Sequence, residues 1–202
     1  MTTRDLLIGG ACLLVLGAAR PAAAQNFLMN SAETINEGNF KIAAFPTVIF
    51  AEGEGDDAWG LATRLGYGFT DRFDMEAKVA FFDGLNIYGA DAEYWLVRGR
   101  TDVSLSGGLR FNDYAGDGDT KALDLAAIVS RNVGNKLEVY AGGSASFESV
   151  DDVEDSSFQR FYLAPGIEYR MAKDLDLLAE FGIGLNDDSP NYFSFGLAYY
   201  IR

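Results

Sequence analysis

Residues 58–82 read AWGLATRLGYGFTDRFDMEAKVAFF. The stretch falls into two halves around Thr70–Arg72, and each half alternates. One set of positions is Trp59, Leu61, Leu65, Tyr67 and Phe69, then Phe73, Met75, Ala77, Val79 and Phe81. The intervening set is Gly60, Ala62, Arg64, Gly66 and Gly68, then Asp74, Glu76 and Lys78. A period of two belongs to a strand, whose side chains point to opposite faces in turn; a helix would repeat near 3.6. Two such runs joined by a three-residue turn make a β-hairpin.

The same period recurs from residue 38 to the end. Ten segments show it: Asn39–Ala51, Ala58–Phe69, Phe73–Phe82, Ile87–Val97, Asp102–Phe111, Lys121–Ser130, Lys136–Phe147, Phe158–Tyr169, Asp174–Gly184 and Tyr192–Ile201. Merging two of them into longer loops would leave eight. Each is about as long as the tilted strand of roughly 9–11 residues that crosses a bilayer. One face is large and apolar, as in Leu123, Leu125 and Val129, or Phe193, Phe195, Leu197 and Tyr199. Its only long polar side chains are Lys121 and Gln159, at loop ends. The other face is Gly, Ala, Ser and charge. A small barrel has an interior just wide enough for side chains to fill it. Ten strands each turning four or five large apolar side chains inward would overfill that space. The small and charged face therefore belongs inside and the apolar face belongs in lipid. A soluble lipocalin-like barrel, greasy inside, is the alternative arrangement. The expected fold is an all-β, antiparallel, up-and-down transmembrane β-barrel.

Composition narrows the function. The chain has 202 residues, a formal charge of −14, no histidine and one cysteine. A strongly acidic chain is unsuited to nucleic acid, which binds basic faces. Without histidine there is no Ser-His-Asp triad, no histidine general base and no His-containing zinc site. One cysteine makes no intrachain disulfide. The reading is of a protein that is not an enzyme and holds no cofactor. Asp74/Glu76 and Asp174/Asp176 could be drawn as acid pairs for glycoside chemistry. The plainer reading pairs them with Arg72, Arg170 or Lys173 at a basic rim.

The ends divide the chain further. Leu6–Ala19 is an apolar run behind Arg4, broken by Arg20-Pro21, and Ala22-Ala23-Ala24 precedes Gln25. That pattern reads as a signal peptide over residues 1–24 for Sec-type export, too short to span a membrane. Cleavage there would leave 14 basic and 29 acidic residues and no cysteine. Residues 25–37 form a lead-in, either a short periplasmic stretch or a segment plugging the lumen. The barrel domain is 38–202.

The connections alternate in character. Thr70–Arg72, Arg98–Thr101, Arg131–Asn135 and Arg170–Lys173 are short and hold six Lys/Arg against one acid. Glu52–Asp57, Asp83–Ala90, Asn112–Thr120, Glu148–Ser157 and Leu185–Pro190 are read as longer and hold fifteen Asp/Glu with no Lys or Arg. Short turns inside and long loops outside is the outer-membrane arrangement. Within the long loops Asp113, Asp117, Asp119, Asp151, Asp152, Glu154 and Asp155 offer hard oxygen ligands for Ca²⁺ or Mg²⁺. Their spacing is not that of an EF-hand loop, and a solvated loop is the plain alternative.

The whole chain resembles the small outer-membrane β-barrel proteins of Gram-negative bacteria, a porin-like group. The resemblance rests on the turn phrase Gly66-Tyr67-Gly68-Phe69-Thr70-Asp71-Arg72-Phe73 and on the final strand Tyr192–Arg202. It implies outer-membrane lipid and lipopolysaccharide as surroundings and the barrel-assembly machinery as a partner. The family's last strand ends on an aromatic residue; this one ends on Arg202. The interior face then carries Arg64, Lys78, Glu93, Arg110, Asp124, Glu138, Arg160, Glu168 and Glu180 as lumen-lining charges. If they leave a wetted path, the barrel is a narrow passive channel for small solutes or cations. If they pair tightly, it is a non-conducting structural or interaction barrel with acidic surface loops.

Overall fold

The computed structural model of the protein describes residues 27–51, 55–115, 118–150 and 157–202. The proposed signal over residues 1–24, and Asp117, Asp151, Asp152, Glu154 and Asp155, lie outside the described residues.

Ten strands follow one another: β1 (Phe40–Ile49), β2 (Ala58–Thr70), β3 (Phe73–Phe82), β4 (Leu85–Val97), β5 (Asp102–Tyr114), β6 (Thr120–Val133), β7 (Leu137–Val150), β8 (Ser157–Ala172), β9 (Leu175–Gly184) and β10 (Tyr192–Ile201). Each pairs antiparallel with its sequence neighbours, and β1 closes on β10 through Ile42↔Tyr199 and Val48↔Phe193. The barrel has ten strands, so the eight-strand alternative falls. Closure removes the sheet edges, which a lipid environment would leave without hydrogen-bond partners.

The apolar set points outward. Leu61, Leu65, Met75 and Phe81 on the opening hairpin are exposed, as are Leu123, Leu125, Phe193, Phe195 and Tyr199. Arg64, Glu76 and Lys78 between them are buried. The lipocalin-like alternative required the reverse, and the steric capacity of the lumen forbids it.

Local features shape the rims. Ladder irregularities sit at Gly68/Thr70, Trp95/Val97 and Arg170/Ala172, each beside a short turn. Bulges there sharpen strand twist where the chain must reverse. On the opposite rim, Asp83–Ala90 is not a long loop. Strand β4 starts at Leu85, and the reversal is the two residues Asp83-Gly84, with Gly84 at φ 73°. An Asp-Gly pair between alternating runs is a tight hairpin signal, and it overrides the acidic-loop reading. Likewise β5 extends to Tyr114 and β7 to Val150, so Asp113 and Glu148 are strand residues.

Leu125 sits mid-strand on the lipid face. Leu125→Arg is expected to destabilise the folded barrel in lipid vesicles by about 2–4 kcal/mol. A urea titration followed by tryptophan fluorescence measures it. Lys121→Leu, at the strand end, should change stability by less than about 1 kcal/mol.

Candidate functional site

The lumen contains the chain's own N-terminal segment. Residues Phe27 to Ala32, with Thr34 and Ile35, are buried inside the barrel. The segment descends towards the short-turn rim and reverses at Asn36–Asn39. There Gly38 has φ 78°, and its N–H donates to the Gly68 carbonyl at 2.9 Å. Strand β1 then rises in the wall.

Glycines in the wall make the room. A Cβ on Gly142 would strike Leu28, and a Cβ on Gly68 would strike the carbonyl oxygens of Ile35 and Asn36. The apolar side chains of the segment fill the rest. Phe27 packs edge-on to Tyr192, with ring centroids 5.0 Å apart, and clusters with Met29, Phe45, Phe82 and Ile87. Leu28 and Ala32 pack with Ile128, Tyr140 and Ala164.

Polar contacts fix the segment's height. The Glu180 carboxylate accepts from the backbone N–H of Leu28 at 3.1 Å and of Met29 at 2.8 Å. It also accepts from the hydroxyls of Tyr192 at 2.6 Å and Tyr140 at 3.0 Å. Four donors satisfy a buried carboxylate that forms no salt bridge among the described residues. Met29 is held at φ 41°, a conformation a non-glycine residue adopts rarely. Consecutive N–H groups converging on one anion at such a kink form a nest. Below it, Asn30 Nδ2 donates to Glu93 Oε2 at 2.6 Å, Ala32 N to Ser130 Oγ at 3.2 Å and Ile35 N to Asp74 Oδ2 at 2.6 Å. Arg64 Nη2 donates to the Phe27 carbonyl at 2.9 Å, and Lys41 Nζ to Asn30 Oδ1 at 2.6 Å.

Beside the plug the wall carries one continuous chain of ion pairs. Lys41 Nζ meets Glu76 Oε1 at 2.9 Å, and Glu76 Oε2 meets Arg64 Nη1 at 3.2 Å. Arg64 Nη2 reaches Asp91 Oδ2 at 3.3 Å, and Asp91 Oδ1 meets Lys78 Nζ at 2.8 Å. Lys78 continues to Asp124 Oδ2 at 3.3 Å, which takes Arg110 Nε at 3.0 Å. Glu148 Oε1 ends the chain, 2.7 Å from Arg110 Nη2 and 3.3 Å from Arg160 Nε. Cations and anions alternate, so each buried charge has opposite neighbours and the desolvation cost is offset.

The nine interior charges named from sequence divide among these structures. Arg64, Lys78, Arg110, Asp124 and Arg160 belong to the ion-pair chain; Glu93 and Glu180 hold the plug. Glu138 lies at the short-turn rim, and Glu168 lines a cavity of about 320 Å³ at that mouth with Asp176 and Tyr200. Of the loop acids, Asp113 accepts a long 3.4 Å bond from Asn86 Nδ2, and Asp119 is half-buried before β6. Four network members were absent from the sequence-derived set. Lys41 alternates correctly in β1, but that strand's faces were not separated. Asp91 escaped for the same reason in β4. Glu148 was assigned to a loop. Glu76 was assigned to the rim, yet it bonds Lys41 and Arg64 inside the lumen. Its companion Asp74 holds the plug rather than Arg72. Asp174 pairs with Arg202 at 2.7 Å, and only Asp176 approaches Arg170, at 3.9 Å.

Two cavities between plug and wall measure about 20 Å³ each. Such volumes hold about one water apiece, not a file of solute. Glu180→Ala removes all four bonds at the plug's bend. The variant is expected to lose about 3 kcal/mol of stability in urea titration. Amide exchange at Leu28 and Met29 should quicken in the same variant.

Comparison with known proteins agrees with this architecture. A family profile described as "Outer membrane protein beta-barrel domain" matches residues 9–200. Curated protein sequences yield no match. Among solved structures, an outer-membrane channel from Pseudomonas putida F1 is 13% identical with a TM-score of 0.53, covering 84% of this chain and 98% of that one. The Yersinia pestis outer membrane protein Ail is 15% identical with a TM-score of 0.42, covering 82% and 100%. A KdgM porin is 11% identical with a TM-score of 0.44, covering 81% and 99%. The chain belongs to the outer membrane protein beta-barrel domain family and is a β-barrel of the bacterial outer membrane.

Proposed function

We propose that this protein is a self-plugged outer-membrane barrel, non-conducting as folded, that acts as a structural or interaction element. The observation that carries the reading is the N-terminal segment seated in the lumen and bonded to both halves of the wall through Glu180, Glu93, Ser130 and Asp74. The ion-pair chain fills what the segment leaves. Its charges serve each other rather than a permeating ion.

Function then lies at the two ends. The short-turn rim faces the periplasm and is basic: Arg72, Arg98, Arg131, Lys136 and Lys173 are exposed there. The long-loop rim faces outward and is acidic: Asp56, Asp57, Asp83, Asp187 and Asp188 are exposed. That end is suited to cationic partners, and to divalent bridges with lipopolysaccharide. The alternating Phe193, Phe195, Leu197 and Tyr199 suit the final strand to the barrel-assembly machinery. The role is a passive one.

One observation favours a second reading, a narrow cation channel. Glu180, Glu93 and Asp74 hold the plug by hydrogen bonds, and none forms a salt bridge among the described residues. Withdrawing the plug would bare these acids along a lumen and favour cations.

Planar-bilayer recording of the chain from Gln25 onwards separates the readings. The intact protein should insert, migrate heat-modifiably and stay silent. Deleting residues 25–35 should give steady openings with cation preference under a salt gradient. Steady conductance from the intact chain would overturn the plugged reading.

A further inference from the structure

The short-turn rim holds a group of side chains that neither the plug bonds nor the ion-pair chain explains. Glu33 comes from the plug, Asp102 opens β5 and Glu138 is the second residue of β7. One carboxylate oxygen of each lies within 4.8 Å of the other two. Asp102 and Glu138 are 4% and 3% exposed, and Glu33 is half-buried at the mouth. Burying three carboxylates this close, with no cation between them, is strongly unfavourable.

The surroundings orient the group without neutralising it. Asp102 Oδ1 accepts from Trp95 Nε1 at 3.2 Å and from Gly99 N at 2.9 Å. Glu33 Oε1 accepts from Asn132 Nδ2 at 3.1 Å. Glu138 Oε1 is buried and has no hydrogen-bond partner among the described residues. None of the three forms a salt bridge among the described residues. Asp102 and Glu33 are thus held in place with lone pairs left over, and a Glu138 oxygen is left open beside them.

We propose that Glu33, Asp102 and Glu138 form a divalent-cation site, best suited to Ca²⁺, that clasps the plug to the barrel wall. All three ligands are hard carboxylate oxygens, the donor type that suits Ca²⁺ and Mg²⁺. Oxygens about 2.3–2.6 Å from one Ca²⁺ stand up to about 5 Å apart, which covers the observed spacing. Mg²⁺, at about 2.0–2.1 Å, draws its ligands closer than about 4.2 Å and keeps more of its waters. Two ligands come from the wall, on strands flanking β6, and one from the plug. Binding therefore draws Glu33 to the wall, beside the Ala32–Ser130 bond. The site lies at the opposite end of the barrel from Asp113 and Asp119. It rests on the plugged reading only because Glu33 belongs to the plug.

The two tryptophans make the test specific. Trp95 bonds to Asp102, whereas Trp59 sits at the long-loop end of β2. The refolded chain from Gln25 in detergent is titrated with Tb³⁺ under tryptophan excitation, with Ca²⁺ and Mg²⁺ as competitors. Expected is saturable luminescence displaced more readily by Ca²⁺ than by Mg²⁺. Trp95→Phe should abolish the luminescence, because it removes the sensitising indole beside Asp102. Glu138→Gln and Glu33→Gln should each weaken Ca²⁺ at least tenfold, with heat-modifiable migration confirming that both variants fold. Asp113→Asn with Asp119→Asn should change nothing. Luminescence that survives Trp95→Phe, affinity untouched by both Gln variants, or no binding at millimolar Ca²⁺ would overturn the clasp. Conductance of the same samples reports the plug separately. A silent barrel without Ca²⁺ binding rejects the clasp alone; a conducting barrel whose binding is lost in Glu138→Gln rejects the plug alone.

Discussion

The pairing of β1 with β10 is the constraint from which the rest follows. Hydrocarbon offers no water to an unpaired N–H or C=O, so the sheet must end where it begins. The seam runs from Phe40↔Ile201 to Ile49↔Tyr192, with a gap in the register at Phe45 and Pro46, where proline has no N–H to give. Once ten strands close, the interior has a set size. It must be filled from what the inward face carries, because the outward face is committed to lipid.

That face cannot fill the space alone. Glycines at 66, 68 and 142 leave it hollow, and the hollow has the shape of a peptide. A segment threaded there brings backbone donors into an acidic interior. The wall answers with acceptors: Glu180, Glu93, Asp74 and Ser130. Plug and acids are mutually dependent. Without the plug, Glu93 and Asp74 would lose their bonds to Asn30 and Ile35 and Glu180 would keep its two tyrosine donors alone; without the acids, the segment's N–H groups would be buried unmet. The basic residues run in the alternating chain from Lys41 to Arg160, from which Lys41 and Arg64 also reach the plug. Polar groups are thus shared between two structures, and little space remains for a solute.

The barrel was legible because period two is a local property and bilayer strands are long enough to show it repeatedly. Leu123, Leu125 and Val129 declare the lipid face without knowledge of any neighbour. Misreadings occurred where a local signal competed with another. Asp83-Gly84 was absorbed into an acidic loop, although the pair is itself a hairpin turn. Glu148 was read with the acidic run that follows it, although it completes the alternation of β7. Asp74 and Glu76 were matched to basic residues nearby in sequence; their true partners, Ile35, Lys41 and Arg64, meet them through the plug and across the ladder.

Sequence by itself marked ten strand segments and the make-up of their two faces, because both depend on the repeat and on the size of side chains; eight strands and a greasy-inside barrel fell only when the ladder closed. The stretch NFLMNSAETINE carries neither a strand period nor a helical one, so its place was open. Only the tertiary structure put residues 27–35 inside the barrel, since that position depends on the hollow left by glycines from distant strands. The pairing of charges is of the same kind. That Glu76 and Arg64 share a face follows from spacing, but that they meet at 3.2 Å follows from the register of β2 on β3. Glu33, Asp102 and Glu138 come together for the same reason: closure brings plug and wall to one rim, and no local pattern encodes that distance.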